Sequence, residues 1–466
     1  MVEAPEKVDL LIVGATLVTM DGERRILTDG GLAIRGDSIA GVGKRRDIET
    51  RFVADEKIEA GRFVVTPGFV NGHIHITGEQ ILRGYVPDNL DWREMVEGWL
   101  VPIYSSQTPE EERIAAKFAA LEMLRSGTTC FLEAGTVGNL DAVMDGLRET
   151  GIRGRLGRWT MDRTTDPDAD QSALTDNAIR GLEDELARYP AEGDPRLAAW
   201  PELVGHTWIT DELWRAAKSL ADAKGVGVSA HMSPAEADPA WYLETTGRRP
   251  IEHLAELGVL GDNLALTHVV HTDDHEVALL AESGTTVTFC PTASTKGAYG
   301  ASRLGKHPEM AARGINIMVG TDGTNNGNSA DFMRALFSIG AVFRDGRHDA
   351  SLFPAHEVLT MGTLNGARGL GLADRIGSLE VGKKADFVLH DTDRIEWRPL
   401  FNVINQLIWS ADGRGVHSVW VDGRRVVDNY RCTTIDEESL LVEVQAAGEA
   451  LAARTGLPLV MPWPVR

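Results

Sequence analysis

Residues 210–225, TDELWRAAKSLADAKG, followed by residues 227–232, GVSAHM, decide the fold. The first stretch reads as a helix capped at Thr210 and closed at Gly225. The second reads as a short strand. The pair then recurs. IEHLAELGVL (251–260) precedes LALTHVV (264–270), HEVALLAESG (275–284) precedes TVTFCP (286–291), and PEMAARG (308–314) precedes INIMVGTD (315–322). Upstream, TPEEERIAAKFAALEMLRSG (108–127) sets Ile114, Phe118, Leu121 and Leu124 at helical spacing. Thr108 and Glu111 form a capping box, Pro109 takes the first helical position, and Gly127 follows the end. TTCFLEAG (128–135) is the next strand. Helices alternating with strands predict an α/β fold with a parallel sheet covered by helices. About eight such units fit between residues 67 and 375, the size of a (β/α)8 TIM barrel.

Both flanks are rich in short strands. DLLIVGATLVTM (9–20), GLAIRGDSIAGVG (31–43) and RFVVTPGFVNGHIHI (62–76) open the chain, and GSLEVGKKADFVLHD (377–391) and HSVWVDGRRVVDN (417–429) lie near its end. Strands on both sides of a barrel predict a small β-sandwich built from the two ends. The expected division is residues 1–66 and 376–435 for the sandwich, 67–375 for the barrel, and 436–466 for a closing helix, DEESLLVEVQAAGEALAART (436–455), and tail.

Composition narrows the function. The 466 residues are 43% hydrophobic and 25% charged, as in a globular protein. No apolar run approaches the roughly 18 residues that span a bilayer. The acidic start, MVEAPEKVDLL, lacks the pattern of a signal peptide. A net charge of -22 argues against nucleic acid and anionic membranes as partners and leaves a small molecule as the expected ligand. The three cysteines, Cys130, Cys290 and Cys432, are far apart and odd in number, so a disulfide framework is not expected and a cytoplasmic setting fits.

The polar residues that end the strands carry the chemistry. His73 and His75 in GHIHI point to the same face of a strand, near the end where TIM-barrel active sites lie. His231 ends GVSAHM, His268 ends LALTH, and Asp322 ends INIMVGTD. Each is the first strongly polar side chain after an apolar run. Any one of them could be a satisfied core residue, but four strand ends of this kind together point to a divalent-metal site.

The set PGFVNGHIH, SAH, LTHVVH and VGTDG resembles the amidohydrolase superfamily. It is similar to the branch of that family holding atrazine chlorohydrolase, guanine-type deaminases and adenosylhomocysteine deaminase. LRGYVPDNLDW, EMLRSGTT, GSLEVGKKADFVLHD and VWVDGRRVVDN extend the resemblance from about Asp9 to Asn429. The resemblance implies one divalent metal, zinc first and Fe(II), Co or Mn as alternatives. His73, His75, His231 and Asp322 match the ligands, and His268 matches a catalytic histidine that is not a ligand. WPELVGHTW (200–208) holds no Lys, which argues against a carbamate-bridged binuclear centre. The implied mechanism uses water activated by the metal, with Asp322 moving its proton to the leaving nitrogen and His268 polarising the substrate. A homo-oligomer is also expected from the family.

One departure bears on the substrate. Deaminase and chlorohydrolase members carry a Glu three residues after the His231 position, and it protonates the heteroaromatic ring. Pro234 stands there in this chain. Hydrolysis beside a carbonyl needs no such proton, so the leading expectation is cleavage of an amide, urea or (thio)carbamate, similar to phenylurea hydrolase or molinate hydrolase. The alternative is a deaminase or dechlorinase of an aminated heteroaromatic ring, with Glu236 as the acid. His206, Trp92 and Trp208 are the candidate substrate contacts. The long segment 76–106 reads as a lid. Trp99 and Tyr104 are read as packing it onto the barrel, His253 and His275 as surface residues, and Glu133 as a structural hydrogen-bonding group.

Overall fold

The computed structural model describes residues 4–464 except 136 and 165. Its central unit contains strands β1 (Phe69–Ile74), β2 (Thr128–Glu133) and β3 (Arg153–Leu156). Strand β4 has two halves, Leu197–Ala199 and Glu202–Gly205. Strands β5 (Val228–Met232), β6 (Leu264–His268), β7 (Thr286–Phe289) and β8 (Ile317–Val319) follow. All are buried along their length, as expected of parallel strands covered on both faces. The first half of β4 pairs with β3 and the second with β5. Between them lies Pro201, which has no N–H to give a ladder. The chain therefore passes from a four-stranded parallel sheet to a five-stranded one within a single interrupted strand. A bridge between Thr160 and Leu203 reinforces that junction. At the other side, the backbone N–H groups of Thr321 and Asp322, just past β8, both donate to the His73 carbonyl of β1 at 3.0 Å. The result is a TIM-barrel-like α/β unit.

The helices follow the local signals. Thr108 and Glu111 form the capping box of helix Pro109–Arg125. Helices Asp211–Lys224 and Asp274–Ser283 end at Gly225 and Gly284, whose φ angles of 64° and 74° favour glycine.

The strands of the two ends form one nine-stranded sheet. Its N-terminal and C-terminal parts join where Phe63–Pro67 runs antiparallel to Phe387–Asp391, with Val65 opposite Leu389. Strand Glu6–Val18 feeds two apolar clusters. Leu10, Ile12 and Leu17 pack with Phe387 and Trp420, while Val8, Leu11 and Val13 pack with Ile48 and Phe52. Not all of 376–435 is β. Helix Val403–Trp409 intervenes, capped by Asn402 and burying Val403, Leu407 and Ile408. The terminal helix spans Glu437–Thr455. Among the described residues, no helix is long and apolar enough to cross a membrane.

A buried ion-pair network ties the two units together. Arg153 at the start of β3 reaches Asp386 at 3.2 Å and Asp422 at 2.5 Å. Burial pushes the Asp386 carboxyl up, against the pull of the guanidinium. Arg153→Met is expected to leave that carboxylate uncompensated and to lower stability by about 3–5 kcal/mol in a denaturant melt.

Candidate metal centre and pocket

Period-two geometry puts Asn71, His73 and His75 on one face of the β1 segment, while Val70 on the other lies against Gly366. Asn71 fixes the strand end by donating to Thr321 Oγ1 at 2.8 Å. His73, His75, His231, His268 and Asp322 then meet at one end of the parallel strands. His75 Nε2 lies 3.2 Å from Asp322 Oδ1 and 3.4 Å from His231 Nε2. His73 Nε2 is 3.9 Å from Asp322 Oδ1, and His268 Nε2 is 3.9 Å from Asp322 Oδ2.

The inward nitrogens are aimed by partners on their far sides. His231 Nδ1 bonds the Val204 carbonyl at 2.9 Å, and His73 Nδ1 bonds Thr267 Oγ1 at 3.0 Å. Gly323 N and Asn326 Nδ2 donate to Asp322 Oδ1 at 2.7 and 3.0 Å. His206, Ser233, His268 and Asp322 all have positive φ, between 52° and 75°. Strained backbone of this kind gathers where structure over-determines a functional geometry.

The donor set fits a cation. His73 Nε2 and Asp322 Oδ2 are buried with no hydrogen-bond partner among the described residues. Burial lowers His73 and His231 far below the usual histidine value, so their ring nitrogens offer lone pairs. Burial opposes the Asp322 charge, but the His75 hydrogen bond and the surrounding imidazoles hold its carboxyl well below the usual range. Burial pushes His268 down to about 4. Ligand atoms of His73, His231 and His268 lie within 4.8 Å of one another, as do those of His73, Cys290 and Asp322. Burial pushes the Cys290 thiol well above its usual value.

Beside this cluster lies a cleft of about 50 Å³. Trp92, Met95, Val96, Leu100 and Tyr104 of segment 83–105 line one part of it. Trp92, Trp159, Trp208, Tyr104 and Tyr299 supply aromatic walls. Larger surface cavities of about 610 and 740 Å³ lie elsewhere and contain none of the clustered histidines.

His206, Trp92 and Trp208 line this cleft. Trp92 stands edge-on to His206 with centroids 5.0 Å apart. Trp99 packs on Tyr85, outside the cleft lining. Three expectations need correction. Tyr104 lines the cleft, stacks on His75, and donates its hydroxyl to Glu79. His253 is buried and bonded to Asp211 at 2.8 Å, whereas His275 is exposed. Glu236 is exposed at the start of helix Ala237–Thr246 and does not line the cleft. Glu133 accepts the Gly135 N–H at 2.5 Å.

Glu79, Asp238, Tyr299 and Trp159 were not identified from sequence. A single polar or aromatic residue in a loop or on a helix has no period to betray it. Glu79 is fully buried and also accepts the Asn325 N–H at 2.6 Å. Gly323→Ala would set a methyl 2.1 Å from Glu79 Oε1. Displacing Glu79 from Tyr104 and Asn325 is expected to lower kcat/KM by roughly 10–100-fold with little change in melting, measured by steady-state kinetics.

The family model described as the amidohydrolase family matches residues 64–426. A 5-methylthioadenosine/S-adenosylhomocysteine deaminase of Syntrophobacter fumaroxidans is 30% identical over 94% of this chain and 97% of its own. A 5'-deoxyadenosine deaminase of Methanosarcina barkeri is 28% identical over 96% and 99%. The solved structure of an adenosine deaminase from Xanthomonas campestris with bound zinc has a TM-score of 0.88 at 27% identity, covering 97% of this chain and 100% of that one. Atrazine chlorohydrolase from Arthrobacter aurescens shares the fold, with a TM-score of 0.84 at 22% identity over 94% and 100%.

Proposed function

Because the chain belongs to the amidohydrolase family, we propose that it removes an amino group from an aminated heteroaromatic ring, with water as the nucleophile. It is a hydrolytic enzyme acting on carbon–nitrogen bonds other than peptide bonds. Relatives that align over nearly their whole length are deaminases of adenine nucleosides, and the aromatic walls beside the cluster suit a flat ring. The observation that carries the reading is the meeting of His73, His75, His231 and Asp322 next to those walls.

These four residues would hold one divalent ion, and three imidazoles with a carboxylate suit zinc. When bound, the ion supplies Lewis acidity that brings the ionisation of water towards neutral pH. Asp322 accepts a proton from the attacking water and returns it to the departing nitrogen, so amine and water become oxo ring and ammonia. His268 faces Asp322 across the same space and orients the incoming oxygen. The strands close into a full (β/α)8 barrel in this reading, and the nine-stranded sheet folds over as a sandwich.

Pro234 favours a second reading. It stands three residues after His231 and can give no proton to a ring, and Glu236 is exposed outside the cleft lining. Cleavage of an amide, urea or (thio)carbamate beside its carbonyl, of the phenylurea or thiocarbamate type, needs no ring proton. Product analysis on an aminopurine, an aminotriazine, a phenylurea, a thiocarbamate and an anilide tests the choice. Metal-dependent ammonia release from the aminated rings is the expected result. Release of aniline or a secondary amine alone would select the carbonyl reading.

A further inference from the structure

Strand β3 carries two buried arginines that are satisfied differently. Arg153 is held by the carboxylates of Asp386 and Asp422. Arg155, two residues on, is 4% exposed and has no ion pair among the described residues. Its Nη1 donates to the Gly154 and Arg196 carbonyls at 2.9 and 3.1 Å. Its Nε and Nη2 make no hydrogen bond among the described residues. Those two nitrogens form the edge of a guanidinium that takes an oxyanion by two parallel N–H bonds. Burial pulls this guanidinium below its ordinary value, and the nearby charges of Arg153 and Arg375 act in the same direction. A buried cation left in this state is costly, and an anion beside it removes the cost.

There is room for one. Arg155 lines the cavity of about 740 Å³, a volume ordinary for a small-molecule site. Residues 225–227 and 262–263 line it too, and they precede β5 and β6. The cavity therefore lies at the opposite end of these strands from His231 and His268. Arg375 adds a second, half-buried guanidinium that has no ion pair among the described residues. Three carboxylates share the lining, but none neutralises Arg155. Asp222 is taken by Lys218 at 2.6 Å and by Asn263 Nδ2 at 2.9 Å. Asp262 and Asp374 are exposed, where water and salt screen them. The buried part of the cavity is thus positive, although the chain as a whole carries a charge of -22.

We propose that this cavity binds a phosphate group, free or carried on a small ester, through Arg155 and Arg375. Two guanidiniums without carboxylate partners suit a dianion better than a single negative charge. The open edge of Arg155 offers the two N–H groups that a phosphate accepts side by side. The exposed Asp262 and Asp374 are acceptors for hydroxyls on an ester that reaches towards solvent. The site is independent of the reaction at the histidine cluster.

The test is calorimetric binding of inorganic phosphate and of ribose 5-phosphate to the metal-loaded protein, against sodium chloride at equal ionic strength. Wild type is expected to bind one phosphate group per chain. Arg155→Met is expected to weaken that binding at least about tenfold, and Arg375→Gln by a smaller factor. Arg155→Met also removes a buried charge that nothing pairs. In phosphate-free buffer it should melt no lower than wild type, and only wild type should gain melting temperature when phosphate is added. An arginine with a purely structural role would give the reverse, a lower melt in the variant and no response to phosphate in either protein, and that overturns the proposal. Tighter binding of ribose 5-phosphate than of inorganic phosphate marks an ester as the occupant; equal or weaker binding marks the free anion. Binding by wild type no stronger than that of chloride overturns the proposal. So does undiminished binding in Arg155→Met, or in Arg375→Gln should the methionine variant not fold. Binding lost in His75→Ala but kept in Arg155→Met would place the anion at the histidine cluster and overturn it as well.

Discussion

Asp322→Asn is expected to lower kcat by roughly 10³-fold or more, while the far-UV spectrum and the unfolding transition stay close to those of wild type. The side chain lies 3.2 Å from His75 and 3.9 Å from both His73 and His268. No other carboxylate lines the cleft among the described residues. The amide keeps an oxygen for the Gly323 and Asn326 donors, so the loop after β8 has no reason to unfold. It loses the charge that opposes the ion and the basicity that takes a proton from water. Steady-state kinetics on whichever substrate proves active give the answer, and turnover within tenfold of wild type would remove Asp322 from the chemistry.

Stripping the metal is the second large effect. Dialysis against a chelator is expected to reduce turnover by at least about two orders of magnitude, with recovery on adding zinc. The unfolding temperature should fall as well, because an ion that binds only the folded state stabilises it. The orphaned His73 Nε2 and Asp322 Oδ2 supply the physical reason, since burying them without a partner is costly. Metal analysis should find one ion per chain in wild type and far less in a His75→Ala variant. Full activity after complete stripping would contradict the whole site.

The parts legible in the sequence were those with a local cause. The Thr108–Glu111 box, the closing glycines of helices and the buried strand runs each specify their element without help from distant residues. The histidines were legible because each ends an apolar strand, and strand ends on one rim of a barrel-like unit converge. Other features depend on how separate segments meet. Pro201 divides β4 between two sheets only because the segments on its two sides meet different partners, β3 and β5. Tyr104 was read as loop packing, yet the fold of segment 83–105 lays it over His75. His253 sits on an amphipathic helix, and Asp211 and Tyr242 come against it from other helices. Asp238 was invisible for the same reason: its contact with a histidine at the end of β4 exists only once the chain after β5 brings the two together.

The most direct test of the central claim is turnover of an aminated heteroaromatic ring in ¹⁸O-labelled water by the metal-loaded enzyme, with the products read by mass spectrometry. The account predicts ammonia and an intact ring carrying one labelled oxygen on the carbon that lost nitrogen. A ring that keeps its amino group, with label found instead in an acid cut from a neighbouring carbonyl, would contradict it.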